Sequence, residues 1–150
     1  MIKIIFVCFG NICRSPMAEF VMKYLVDRAG LEENFLIESA GCHPSVGTPM
    51  SGGTAYELKR NHIPFTRHNS KLLLASDYEK FDYLIGMDNS NVRDMKDICG
   101  GDPDNKIFLL MDFAGEHRDV ADPYYTDDYI ETYNDCLIGC EALLEKILRK

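Results

Sequence analysis

The chain has 150 residues, 46% of them hydrophobic and 27% charged, which is the size and apolar content of one domain with a full core. Acidic residues outnumber basic ones by 24 to 16, a formal charge of -8, which argues against a general nucleic-acid or anionic-membrane surface and requires any anion site to be local. The opening MIKIIFVCF is too short an apolar run for a signal peptide and no stretch reaches transmembrane length, so a single cytoplasmic domain over 1–150 is expected, with its six cysteines reduced.

The first apolar run, IKIIFV at 2–7, is nearly continuous, as in a strand covered on both faces. It leads into CFGNICRSP, which is poor in packing side chains, and then into a helical pattern over about 16–29. There Met17, Phe20, Val21, Tyr24 and Leu25 share a face, and Gly30 is placed to end the helix. FLIES at 35–39 reads as the second strand, the Gly-, Pro- and Ser-rich stretch 41–53 as a loop, and 51–61 as a helix. Ser76 and Glu79 have capping-box spacing at the start of a short helix over 76–80. FDYLIGM at 81–87 and KIFLLM at 106–111 give two more strands around a helix at 89–98. A final helix over about 127–149 carries a stripe of Tyr129, Tyr133, Cys136, Cys140 and Leu144 that reads as core. This alternation predicts an α/β fold, a three-layer sandwich with a four-stranded parallel sheet, flavodoxin-like, in strand order 2-1-3-4.

In open parallel sheets the site lies beyond the carboxyl ends of the strands, and residues 8–15 fall there as a phosphate-binding loop after the first strand. Ser15 followed by Pro16 marks a helix start, with serine able to cap. Gly10 and Asn11 are the residues best suited to positive φ, which turns successive N–H groups inward as a nest for a tetrahedral anion. Arg14 adds a planar fork for two of its oxygens. Cys8 then lies at the base of the nest, where the helix dipole, the amides and Arg14 favour thiolate, with a further hydrogen bond available from Ser15. A thiolate under a phosphate is a nucleophile aimed at phosphorus. Taken singly, these features fit a buried cysteine, an ordinary turn and a surface arginine; their conjunction with strand, cap and proline favours the site. There is no C-x-x-C pair and the four histidines are scattered, so neither a metal nor a cofactor is expected.

Two Asp-Pro pairs compete as the acid. Asp102-Pro103 precedes the fourth strand and belongs to the sheet's amino edge, whereas Asp122-Pro123 follows it on the catalytic edge. Asp88 shares that edge, with a structural role weighed equally against a catalytic one.

The segments CFGNICRSPMAE, ESAG (38–41), FDYLIGMDNSNVRDM (81–95) and DPYY (122–125) together make the chain resemble the low-molecular-weight protein tyrosine phosphatase family along almost its whole length. The resemblance implies a tyrosine phosphatase that works through a cysteinyl-phosphate, with Cys8 as nucleophile, Arg14 as phosphate clamp, Ser15 as thiolate stabiliser and Asp122 as general acid and base. It implies a loop of Phe9, Gly10, Asn11, Ile12, Cys13 and Ser15, held by a network of Asn11, Ser39 and His68. It places Tyr124 and Tyr125 in the substrate cleft, where residue type alone leaves them equally well as packing or exposed loop tyrosines. It makes Cys13 the redox partner of Cys8 in a reversible disulfide. The substrate would be a phosphotyrosine protein or a small aryl phosphate, with no nucleic-acid or membrane partner, and the enzyme a monomer.

Two positions depart from the family pattern: GCHPSVG (41–47) offers only His43, Pro44 and Val46 where a bulky aromatic is frequent, and Phe9 stands where leucine is common, a change expected to affect packing under the loop. Ile12 replaces the threonine of phosphoarginine-specific relatives and suits a phenyl ring, which makes arginine phosphatase the second reading. Arsenate reductase is disfavoured, since 81–98 lacks relay cysteines. A non-catalytic phosphate- or phosphopeptide-binding module would need neither Cys8 nor Asp122.

Overall fold

The computed structural model describes residues 1–149; the last residue of the expected 1–150 span lies outside them. The β-branched run at the amino terminus forms β1 (Ile2–Cys8), with Ile4 to Cys8 buried. It pairs in parallel with β2 (Phe35–Gly41) on one side and β3 (Tyr83–Gly86) on the other, and β3 pairs in parallel with β4 (Ile107–Leu109). The order is β2-β1-β3-β4, as expected.

Alternation along β1 builds two cores. Ile4, Phe6 and Cys8 face one layer, where Met17, Val21, Cys136, Cys140 and Leu143 pack; Ile5 and Val7 face the other, with Leu84, Phe81 and Met95. The first layer is supplied by α1 (Arg14–Arg28) and α6 (Tyr129–Leu148), the second by α4 (Asn89–Cys99). Shorter helices α2 (Gly52–Arg60), α3 (Asp77–Lys80) and α5 (Pro123–Thr126) complete the connections. On α1 the expected face is buried at Met17, Phe20 and Val21 and half-buried at Tyr24 and Leu25, and Gly30 leaves the helix at φ +73°. No helix of the described residues is long and apolar enough to cross a membrane.

Three local expectations are corrected. Ser15 does not cap α1: the helix begins two residues earlier than expected, at Arg14, with Cys13 at its N-cap and no side-chain cap bond, because the Ser15 hydroxyl is used elsewhere. Ser76 sits at the N-cap of α3 in helical geometry and caps nothing; Asp77 instead accepts from the Leu74 amide at 2.8 Å. The fourth strand is three residues long, since Leu110 and Met111 turn into a 3-10 helix (Leu110–Ala114) and are buried there against the α6 side of the core.

Candidate active site

The carboxyl ends of β1, β2 and β3 converge on residues 8–14. The Cys42 and His43 amides donate to the Cys8 and Phe9 carbonyls, each at 2.9 Å, and the Met87 amide donates to Val7 at 3.1 Å. Between these anchors the chain reverses through Asn11, which is fully buried and held at φ +58°. Asn11 alone takes the left-handed conformation; Gly10, also expected to, does not. The close approach that demands a glycine lies across the sheet at Gly41, where a Cβ would stand 2.8 Å from the Phe9 carbonyl oxygen and 3.1 Å from Asn11 Cβ. Because backbone must yield, Gly41→Ala is expected to cost about 1–3 kcal/mol of stability and, by displacing the loop, to lower kcat/KM roughly 100-fold. Thermal melts and kinetics on one aryl phosphate check this; wild-type kinetics would show that the loop does not depend on Gly41.

The Asn11 side chain sits at the centre of a buried hydrogen-bond network. Its Oδ1 accepts from the Lys71 amide at 3.0 Å, which orients the side-chain amide. Its Nδ2 then donates to Ser39 Oγ at 3.0 Å and to Ser15 Oγ at 2.9 Å. Ser39 in turn donates to Glu19 Oε1 at 2.6 Å, while Lys23 holds Glu19 Oε2 at 2.6 Å. Ser15, already accepting from Asn11, lies 2.9 Å from Cys8 Sγ and 3.4 Å from the Ala40 carbonyl, the two groups between which its one proton is placed. His68 donates from Nε2 to the Asn11 carbonyl at 3.1 Å, with Nδ1 3.8 Å from Glu19 Oε1. Asn11, Ser15, Ser39 and His68 are thus brought together. Glu19 was not singled out from the sequence, although CFGNICRSPMAE contains it; a carboxylate on an early helical turn reads as solvated, and here it is 6% exposed.

Cys8 differs from the other buried cysteines in the direction of its bonds. Cys42, Cys136 and Cys140 each direct Sγ–H at a backbone carbonyl, on Asn91, Arg14 and Ala18. Burial pushes the Cys42 thiol up to about 12, with Asp94 and Cys8 adding to the effect, and burial likewise raises Cys136 and Cys140. Cys8 Sγ instead accepts from the Asn11 amide at 3.3 Å and faces the Ser15 hydroxyl. That is the bonding a thiolate requires.

Arg14 is buried, and its guanidinium spans the catalytic edge. Nη1 donates to Asp88 Oδ2 at 2.8 Å and to the Val120 carbonyl at 3.4 Å; Nη2 lies 3.2 Å from Asp122 Oδ2. Burial works against its charge, but Cys8, Asp122 and Asp88 outweigh that and raise its pKa. Asp88 also caps α4, with Oδ1 accepting from the Asn91 amide at 2.7 Å, so both its oxygens serve to fix other groups. Asp122 caps α5 through the Tyr124 amide at 3.0 Å and is partly open to solvent. Asp102 lies at the opposite edge, accepting from the Tyr78 hydroxyl and the Lys106 amide at the turn into β4.

Around the mouth, Tyr124 and Tyr125 are each 82% exposed and contact one another edge to face at 5.0 Å. Phe9 corrects an expectation: it does not lie under the loop but is 58% exposed, its ring 4.9 Å from that of His43, which pairs with Asp94 at 3.0 Å. The His43 loop therefore supplies an aromatic surface together with Phe9. Ile12 is half-buried, its carbonyl accepting from the Ser51 amide at 2.8 Å. Cys13 Sγ faces Ser51 Oγ at 3.4 Å and the Tyr129 hydroxyl at 3.9 Å, and is free, as is Cys8.

A family model described as low molecular weight phosphotyrosine protein phosphatase matches residues 3–150. The chain is 37% identical over 153 residues to the low molecular weight protein-tyrosine-phosphatase YfkJ of Bacillus subtilis, covering 100% of this chain and 98% of that protein. The crystal structure of YfkJ superimposes with a TM-score of 0.95, covering 99% of this chain and 96% of the other. That of SP-PTP, a low molecular weight protein tyrosine phosphatase from Streptococcus pyogenes, is 40% identical with a TM-score of 0.87, over 97% and 93% of the two chains. The YwlE arginine phosphatase of Bacillus subtilis, in a form with a phosphorylated active-site serine, is 30% identical with a TM-score of 0.89, over 99% and 97%.

Proposed function

The chain belongs to the low molecular weight phosphotyrosine protein phosphatase family, and on that premise we propose how its residues divide the work of hydrolysing phosphotyrosine. The substrate's phosphoryl group enters the 8–14 loop and exchanges its solvent shell for backbone amides and the Arg14 guanidinium. Cys8 Sγ attacks phosphorus in line; the S–P bond forms as the P–O bond breaks, and the carboxylic acid form of Asp122 gives its proton to the departing phenolate, a leaving group of pKa about 10. Asp122, now a carboxylate, takes a proton from water as that water attacks the phosphocysteine, and inorganic phosphate leaves with Cys8 restored as thiolate. The observation that carries this reading is the inverted bonding of Cys8, the buried cysteine that accepts where the others donate.

The same reading gives Asn11, Ser39 and His68 the task of holding the loop, with Glu19 completing their network. Tyr124 and Tyr125 stack against the substrate ring, which suits a phosphotyrosine protein or a small aryl phosphate. Cys13 serves as redox partner of Cys8, reached by turning its Sγ away from Ser51. The enzyme acts as a cytoplasmic monomer without metal or cofactor.

The test is phosphate release from phosphotyrosine, phosphoarginine and phosphoserine peptides by reduced protein in chelator. Release from phosphotyrosine at least about 100-fold faster than from the others supports the assignment, since pocket contacts that fit one leaving group and strand another discriminate on that scale. Preference for phosphoarginine would retain the mechanism and overturn the substrate. No turnover of any would leave a phosphate-binding module.

A further inference from the structure

The loop that delivers Asp122 is tied down residue by residue up to the acid and no further. Asp119 Oδ1 accepts from the Asn89 amide at 3.0 Å, and the Val120 amide donates to the Met87 carbonyl at 2.8 Å. At Ala121 both backbone groups are taken by side chains of α6: the amide donates to Asp135 Oδ2 at 3.0 Å, and the carbonyl accepts from the Thr132 hydroxyl at 2.7 Å. From Asp122 to Asp127 the backbone bonds are local to α5.

Asp135 and Thr132 are both buried polar side chains, 5% and 0% exposed, so their bonds are made away from competing water. Asp135 is held in turn by a bidentate pair from Arg118, Nη1 at 3.1 Å and Nη2 at 2.9 Å. Arg118 precedes the acid by four residues and Asp135 follows it on the next long helix, so the pair closes the acid loop onto α6. None of these three side chains is bonded to Cys8, Arg14 or the 8–14 loop backbone.

We propose that Asp135, Thr132 and Arg118 form a clamp of positioning residues that sets where the Asp122 carboxyl stands relative to the leaving-group oxygen. The inference rests on the reading of Asp122 as general acid. Its consequence is selective: loosening the clamp harms proton delivery to the leaving group while leaving the phosphate cradle intact. A purely structural role would instead depress all activities together.

The experiment compares phenyl phosphate, a poor leaving group, with p-nitrophenyl phosphate, an activated one, for Asp135→Asn, Thr132→Val, Asp122→Asn and the Asp135→Asn/Asp122→Asn double variant. Asp135→Asn and Thr132→Val are expected to lower kcat/KM on phenyl phosphate by about 10–100-fold, the cost of misplacing a catalytic group by about 1 Å, and on p-nitrophenyl phosphate by less than about 3-fold. Inhibition by inorganic phosphate should be unchanged. On phenyl phosphate the double variant should be no slower than Asp122→Asn alone, because a clamp has nothing left to position. Thr132→Val keeps side-chain volume and carries the test if Asp135→Asn does not fold. Equal loss on both substrates, no loss on phenyl phosphate, or an additive double variant would overturn the clamp while Asp122→Asn keeps its leaving-group signature. Absence of that signature in Asp122→Asn would overturn the acid reading and the clamp with it.

Discussion

Cys8→Ser is expected to lose turnover by roughly 10⁵–10⁶-fold, the scale on which removing the nucleophile costs covalent enzymes, while still binding inorganic phosphate. The hydroxyl stays in the same place, faced by Ser15 and the Asn11 amide, but neither neighbour can ionise an alcohol. Binding survives because the cradle has supports besides the Asn11 amide bond to the sulfur: the Asn11 side chain is fixed by Lys71, Ser39 and Ser15, and Arg14 by Asp88. Removing a negative sulfur from beneath a phosphate dianion also removes a like-charge repulsion, so affinity should be equal to or above that of the parent. Phosphate titration followed by calorimetry, with single-turnover assays beside it, reads both quantities. Activity above about one thousandth of the parent would end the nucleophile assignment, given the expected scale; loss of phosphate binding would show that the sulfur organises the loop.

The parts of this site that the sequence made legible are those where chemistry is contiguous. Cys8, Asn11, Arg14 and Ser15 lie within eight residues, between an apolar strand and a proline-started helix, and a turn that short leaves few ways to arrange them. The sheet order was legible for a related reason, since near-continuous apolar runs separated by helical patterns admit few topologies. What escaped were facts decided between distant segments. Glu19 looks like a solvent carboxylate until β2 brings Ser39 and the 66–71 segment brings His68 over it. Gly41 looks like the end of a strand until the Phe9 carbonyl is found where its Cβ would be. Ser15 reads as a cap, but the stronger partners, Cys8 and Asn11, compete for the hydroxyl and win. Ser39 and His68 were reached only through family resemblance, because nothing in their local spacing marks them.

Arg14 joins the two halves of the mechanism. Its guanidinium lies between Asp88, which has both oxygens committed, and Asp122, which keeps one oxygen on the Tyr124 amide and turns the other to Nη2. On the proposed mechanism a phosphate in the loop competes with Asp122 Oδ2 for Nη2, which would couple filling of the cradle to freeing of the acid.

Asp122→Asn follows from this arrangement as the second large effect. The amide keeps the side-chain oxygen that caps α5, and asparagine is as good an N-cap as aspartate, so the fold should hold. The proton is lost. For phenyl phosphate, whose phenolate leaves poorly without protonation, kcat/KM should fall about 10²–10⁴-fold, the span of general acid catalysis. For p-nitrophenyl phosphate, whose leaving group already stabilises its charge, the fall should be far smaller, and a plot of log kcat/KM against leaving-group pKa should steepen. The choice of kcat/KM matters, because it reports steps up to the first P–O cleavage and so isolates the acid from the later activation of water. A uniform loss across the series would place Asp122 in binding through Arg14 rather than in proton transfer.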